Sequence, residues 1–192
     1  MNVVVVGFGL LGGSFALAVR SIAPASRITA VDRPAVLERE AARRAADAWL
    51  DTADTQAVNA AVERAELVLI ATPVSAIVSL LPHLVERAAV VTDCGSTKRA
   101  ITRAVLGSTR RGRFVAGHPM AGAPEGGIDL ARADLFRDRR WILCPEGSDP
   151  DALELVESLV RRIGGTPVRM SPEEHDQAVA LTSHVTLLVA RA

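Results

Sequence analysis

Gly7-Phe8-Gly9-Leu10-Leu11-Gly12 stands between a run of four valines and an Ala/Leu-rich stretch. In a strand–turn–helix setting such a turn binds phosphates. Gly7 permits the tight turn, Gly9 lets backbone approach a pyrophosphate, and Gly12 lets helix pack on strand. The free N–H groups at the start of the helix then face the phosphates. Phe8, Leu10 and Leu11 complete this cofactor turn. Asp32 lies twenty residues beyond Gly12, at the expected end of the second strand. A carboxylate there accepts hydrogen bonds from ribose hydroxyls and repels a 2′-phosphate, which favours NAD. Arg33 beside it could hold that phosphate, so NADP stays open. The competing interpretation is that Asp32-Arg33-Pro34 is only a polar turn.

Three further polar clusters follow apolar runs: Ala71-Thr72-Pro73, Asp93 through Lys98, and Gly117-His118-Pro119-Met120-Ala121-Gly122. The carboxyl edge of an open α/β sheet is where ligands bind, so these clusters are expected to converge there. Ser96 and Thr97 could instead cap the helix that follows. His118 is the candidate base. A neutral imidazole can take the proton of an alcohol at physiological pH, as hydride transfer from a carbinol carbon requires. Pro119 restricts His118 to extended backbone angles at the mouth of a strand. A loop histidine bonded to backbone is the alternative. His175 and His184, nine residues apart, fall on opposite sides of a straight helix. They share a cavity only if that helix bends or His175 sits on its first turn, facing the cofactor domain. Otherwise they are interface residues. His83 reads as surface.

These residues need a scaffold, and the chain supplies one. Apolar runs at 2–6, 27–31, 67–71, 90–93, 113–116, 141–144 and 166–169 alternate with helical patterns at 11–22, 36–46, 56–65, 75–87, 98–106 and 150–163. That alternation predicts βαβ units, a Rossmann-type doubly wound, mostly parallel sheet over residues 1–170. Ser171-Pro172-Glu173-Glu174 combines an N-cap serine, proline at the first helical position and a capping-box glutamate. From there a helical pattern runs to residue 192 and becomes apolar nearly all round, as in a helix buried in something larger. Residues 171–192 are thus expected to begin a long helix that leads to a helical dimerisation domain or packs on a second protomer.

Composition removes several classes of function. The 192 residues carry 22 basic and 22 acidic side chains, with no basic excess for a nucleic-acid or membrane-surface partner. No apolar run reaches the ~20 residues of a membrane span. Met1-Asn2 leads directly into a strand, leaving no room for a signal peptide. Two cysteines make neither a disulfide framework nor a metal cluster, so a reducing cytoplasm and no metal are expected. Lys98 is the single lysine among the 22 basic residues.

Taken together the motifs resemble the prephenate/arogenate dehydrogenase family of tyrosine biosynthesis. The matching segments are Gly7 through Ser14, Ala71-Thr72-Pro73-Val74, Asp93 through Lys98, Gly117 through Gly122, Asp134-Leu135-Phe136, Trp141, His175-Asp176 and Ser183-His184. The resemblance implies an oxidative decarboxylation of a cyclohexadienyl substrate, with hydride passing to NAD+ and carboxylate leaving as CO2. It implies that His118 accepts the hydroxyl proton and Ser96 orients hydroxyl and nicotinamide. By the same resemblance His175, His184, Lys98 and Glu125 lie on the substrate side, and a C-terminal helical region makes a homodimer. Two positions depart from the family pattern. Leu187 replaces a second histidine, and Pro124 stands where many members carry an acid, with Glu125 next to it. An amino-substituted substrate such as 4-amino-4-deoxyprephenate therefore stays open, as do a β-hydroxyacid dehydrogenase-like reductase and a non-catalytic NAD-binding module.

Overall fold

The structure, a computed structural model, describes residues 1–181. Its strands are β1 (Asn2–Val6), β2 (Arg27–Asp32), β3 (Ala48–Asp51), β4 (Leu67–Ile70), β5 (Val91–Asp93), β6 (Phe114–Pro119), β7 (Arg140–Cys144) and β8 (Thr166–Arg169). Between them run α1 (Leu10–Ile22), α2 (Pro34–Leu37), α3 (Glu40–Ala45), α4 (Thr55–Glu63), α5 (Val74–Val85), α6 (Arg99–Ala104), α7 (Pro150–Arg162) and, last, α8 (Pro172–Val179). They form one sheet in the order β3-β2-β1-β4-β5-β6-β7-β8. The first six strands are parallel, and β7 runs antiparallel to β6 with β8 parallel to β7. This is the doubly wound, mostly parallel α/β architecture that the alternation of apolar runs predicts.

Helices cover both faces, which explains why β4 is apolar at every position and β1 at every position after Asn2. Val3, Val5, Leu67, Leu69 and Val115 pack toward α1 and α7, while Val4, Val6, Val68, Ile70 and Val91 pack toward α4, α5 and α6. Three elements differ from the sequence expectation. Strand β3 escapes it because Ala48-Trp49-Leu50-Asp51 is a four-residue edge strand, half-buried throughout, with too few alternations to register. The helix expected over 36–46 is two short helices, since the chain turns at Glu38–Arg39. Strand β6 continues to Pro119, because residues 116–119 pair with 141–144 of the antiparallel β7.

The connection between β6 and β7 folds back over α1. A Cβ on Gly13 would meet Ile128 Cδ1 at 2.2 Å, and the Arg132 N–H donates to Ser14 Oγ at 3.0 Å. Trp141 is buried between Phe15 of α1 and Phe136 of the connection, at ring-centroid distances of 6.2 and 4.9 Å. Gly13-Ser14 and Leu135-Phe136 thus hold this lobe onto the first helix. The Ser171 capping box is formed, with Ser171 and Glu174 exchanging side chain-to-backbone hydrogen bonds at the start of α8. The expected continuation of that helix beyond 181 lies outside the described residues.

Candidate active site

Strand order reverses between β1 and β4, and in open sheets of this kind the carboxyl ends at such a reversal are where a ligand crevice forms. Gly7 has φ +91°, and a Cβ on it would sit 2.7 Å from the Ala71 carbonyl carbon and 2.8 Å from Thr72 Cγ2. The turn before Pro73 therefore abuts the glycine turn. Gly12 is required by helix packing, since its Cβ would lie 2.0 Å from the Gly7 carbonyl oxygen. A Cβ on Gly9 would meet nothing within 4 Å. Helix α1 begins with no side-chain cap and no acidic residue in its first turn. An open glycine beside an uncapped helix start is a fitting cradle for a pyrophosphate. Leu10 and Leu11 open that helix, whereas the Phe8 ring is fully buried in the core and offers only its backbone to the crevice.

Asp32 ends β2 with its side chain mostly covered. Its Oδ2 accepts the Phe8 N–H at 2.6 Å and Oδ1 accepts the Arg33 N–H at 2.7 Å. The carboxylate fixes the glycine turn, and each oxygen retains acceptor capacity for a ribose hydroxyl. The Arg33 side chain is 80% exposed and its Nε stands 3.9 Å from Asp32 Oδ1.

Beyond the crevice, β5 and β6 are tied together by a buried ion pair. Lys98 Nζ donates to Asp93 Oδ2 and to the Gly117 carbonyl, each at 2.5 Å, and both charged side chains are completely buried. Asp93 also accepts the Gly95 N–H at 2.7 Å and the Gly117 N–H at 2.9 Å. The expectation that Lys98 faces substrate is corrected by this burial. All its reach goes to the strand ends on either side, and it acts on the site through its charge and through the spacing of β5 and β6. Ser96, between these two residues, is exposed and its hydroxyl has no partner among the described residues. Neither Ser96 nor Thr97 caps α6. That task falls to Asp176, whose two oxygens accept the Lys98 N–H at 2.7 Å and the Arg99 N–H at 3.1 Å.

His118 lies within β6, on the face shared by Phe114 and Ala116. Its Nδ1 stands 2.9 Å from Nε2 of His175, and Nδ1 of His175 stands 2.8 Å from Asp176 Oδ1. The rings meet nearly edge to face, 5.1 Å apart. His175 is on the first turn of α8 and wholly buried. It stands behind His118, in place of the substrate-facing position expected for it. Burial, the Lys98 ammonium and His175 push His118 down to about 3, with the Asp176 carboxylate working the other way. Burial likewise lowers His175, against the hydrogen bond it donates to Asp176. Both imidazoles are neutral at physiological pH.

A consequence for stability follows. Unfolded His118 titrates near 6.5 and folded His118 near 3, so below pH 6.5 the unfolded chain binds a proton that the folded chain refuses. Stability is expected to be full above pH 6.5 and to fall toward pH 3, by up to about 1.4 kcal/mol per pH unit from this residue. Urea denaturation between pH 7 and 4.5 should show that slope shrinking in His118→Asn. An unchanged slope would remove His118 as its source.

Residues 15–169 match the family model described as prephenate dehydrogenase, nucleotide-binding domain. The chain belongs to the prephenate dehydrogenase family. Among its relatives, the prephenate dehydrogenase of Bacillus subtilis is 35% identical over 98% of this chain. Solved structures agree with the fold. That of the Aquifex aeolicus prephenate dehydrogenase superposes with a TM-score of 0.88 at 29% identity, covering 98% of this chain and 68% of that one. A second structure of the Aquifex aeolicus enzyme, in complex with hydroxyphenyl propionate and NAD+, gives 0.82 at 28% identity over 99% of this chain and 66% of that one. The Synechocystis arogenate dehydrogenase gives 0.84 at 31%, over 98% of this chain and 66% of that one. The chain spans about half the length of the Bacillus relative, 52% of it.

Gly7 adjoins Gly12 and Ala71-Thr72 at the carboxyl edge of β1 and β4, and Asp32 is bonded to the same turn. Ser96 and His118 extend that edge from neighbouring strands. Glu125 sits exposed in the β6–β7 connection, with no side-chain partner among the described residues. His184 lies outside the described residues. Asp176 is the residue bonded into this cluster that sequence reasoning missed. It is quoted in the motif His175-Asp176, but its partners are 78 and 77 residues away and nothing local announces them. No helix among the described residues is long and apolar enough to cross a membrane, and no group of three metal-ligating side chains occurs among them.

Proposed function

We propose that this chain binds NAD+ and, within the full-length protein, oxidatively decarboxylates prephenate or arogenate for tyrosine biosynthesis. The observation that carries this reading is a half-buried, neutral His118 at the carboxyl edge of the sheet, backed by His175 and Asp176 and adjoining the strand that leads to a Ser96 hydroxyl with no partner among the described residues. Family membership supports it, as do relatives whose names specify prephenate and arogenate and a relative holding NAD+.

Bound NAD+ would supply a hydride acceptor. Gly9 and the start of α1 would hold its pyrophosphate, and Asp32 its adenosine ribose. Nε2 of His118 would accept the proton of the ring hydroxyl as the carbinol hydrogen leaves as hydride. The electron pair of the departing carboxylate enters the ring, CO2 is released, and the proton on His118 returns to the phenolic oxygen. Ser96 would orient the hydroxyl. Lys98 is committed to Asp93 and Gly117, which counts against a lysine-catalysed β-hydroxyacid dehydrogenase-like mechanism. On this reading residues 1–170 are the cofactor domain, 171–192 start the interdomain helix, and the rest of the protein closes the substrate side and makes a homodimer in the cytoplasm.

The full-length protein, given NAD+ with prephenate, arogenate or 4-amino-4-deoxyprephenate in turn, is expected to form NADH and CO2 in equal amounts with prephenate or arogenate. Turnover of the amino analogue alone would reassign the substrate. No turnover with any of the three, alongside intact NAD+ binding, would leave a non-catalytic cofactor module.

A further inference from the structure

We propose that Asp176 is a positioning residue that decides which ring nitrogen of His118 is the base, acting through His175, while the same carboxylate fixes the loop that carries Ser96. The inference rests on His118 being the proton acceptor of the proposed reaction.

The direction of the relay is set at its far end. An ionised carboxylate only accepts hydrogen bonds. Burial opposes ionisation of Asp176, yet the N–H groups of Lys98 and Arg99 and the His175 ring outweigh it and hold the carboxyl below its ordinary range. Nδ1 of His175, 2.8 Å from Asp176 Oδ1, must therefore carry the hydrogen. A neutral imidazole has one N–H, so Nε2 of His175 carries a lone pair. At 2.9 Å from it, Nδ1 of His118 must then be the donor. The one lone pair left on His118 is at Nε2, the nitrogen not engaged by any of the described residues. Reversing the chain would put hydrogen on that nitrogen and leave no base.

The second half of the device is the loop. Residues 94–98 link the end of β5 to α6, and their far end is held by the Asp176 contacts to the N–H groups of Lys98 and Arg99. A single carboxylate on α8 thus anchors a base on β6 and a hydroxyl-bearing loop after β5. Its three hydrogen bonds leave it little freedom to turn. Among the described residues, the charged and titratable groups that act on His118 are Lys98 from the α6 start and His175 and Asp176 from α8.

Ring nitrogen-15 shifts of His118 in the full-length protein, assigned by comparison with His118→Asn, read the tautomer directly. The expected result is an Nδ1–H imidazole. Asp176→Asn can present its amide N–H to His175, so it should shift His118 toward the Nε2–H form. Its kcat should then fall roughly 10²-fold or more, as when a triad aspartate is neutralised elsewhere, with NAD+ affinity within about twofold. His175→Gln can donate to Asp176 and accept from His118, and should keep the Nδ1–H form and more activity than His175→Leu. A merely structural Asp176 would not move the tautomer. Finding Nε2–H in the unmodified protein, an unmoved tautomer in Asp176→Asn, or equal activity in the Gln and Leu variants would overturn the relay. If the variants do not fold, the tautomer of the unmodified protein decides alone. An Nδ1–H imidazole in a protein that turns over no cyclohexadienyl substrate would instead overturn the functional reading and leave the relay standing.

Discussion

Replacing His118 with asparagine in the full-length protein is expected to lower kcat by roughly 10²- to 10⁴-fold, the range for loss of a positioned general base, while NAD+ affinity changes less than about twofold. Asparagine is the informative choice. Its amide can still donate to Nε2 of His175, so the buried partner keeps its hydrogen bond, while its carbonyl oxygen, an acceptor but not a base, cannot replace Nε2. The proposed cofactor contacts lie on other elements, at Gly9, the start of α1 and Asp32, none of which is a hydrogen-bond partner of His118. An equal fall in kcat and kcat/KM for the ring substrate would mark an interaction made in the transition state. Equilibrium titration with NAD+ and steady-state assays check both halves. Activity within tenfold of the unmodified protein would exclude His118 as the base.

The largest structural effect is expected at Lys98. Lys98→Met keeps the volume of the side-chain stem but leaves Asp93 charged, buried and without its ammonium, and leaves the Gly117 carbonyl without its donor. Breaking a fully buried pair by removing one partner costs about 3–5 kcal/mol. For a chain of this size that corresponds to a fall in Tm of roughly 6–20 °C. Adding Asp93→Asn removes the stranded charge and should recover part of the loss, a coupling that a double-mutant cycle isolates. Loss of the ammonium also removes one of the influences that hold the His118 imidazole down, so the pH below which His118 charges should rise. If Lys98→Met melts within 2 °C of the unmodified protein, on the order of the shift for a single kcal/mol, the pair does not hold β5 to β6.

These expectations differ in how early they can be formed. The glycine turn and its acid are legible in the sequence, because their determinants are contiguous. One strand, one turn and one helix within about twenty residues, closed by Asp32, specify a backbone path that side chains other than glycine would obstruct. The two obstructions are measurable, at the Ala71 carbonyl for Gly7 and at the Gly7 carbonyl for Gly12. His118 and Ser96 are also found early, since each follows an apolar run and such runs end at the ligand edge. The strand β3 and the reversal at β7 are not legible in the same way. An apolar run buried on both faces carries no mark of its direction, and a four-residue edge strand carries too few residues to show a period.

Local spacing alone therefore determined the class of fold, the cofactor turn and the identity of the candidate base. Tertiary structure decided how that base is held: that Lys98 turns inward to Asp93 instead of toward a ligand, that α6 takes its cap from α8, and that His175 stands behind His118 with Asp176 behind it. The reason is distance along the chain. The relay joins residues 57 positions apart and the cap joins residues 78 apart, so only the order of strands in the sheet, settled by burying both of its faces, brings them within reach of a hydrogen bond.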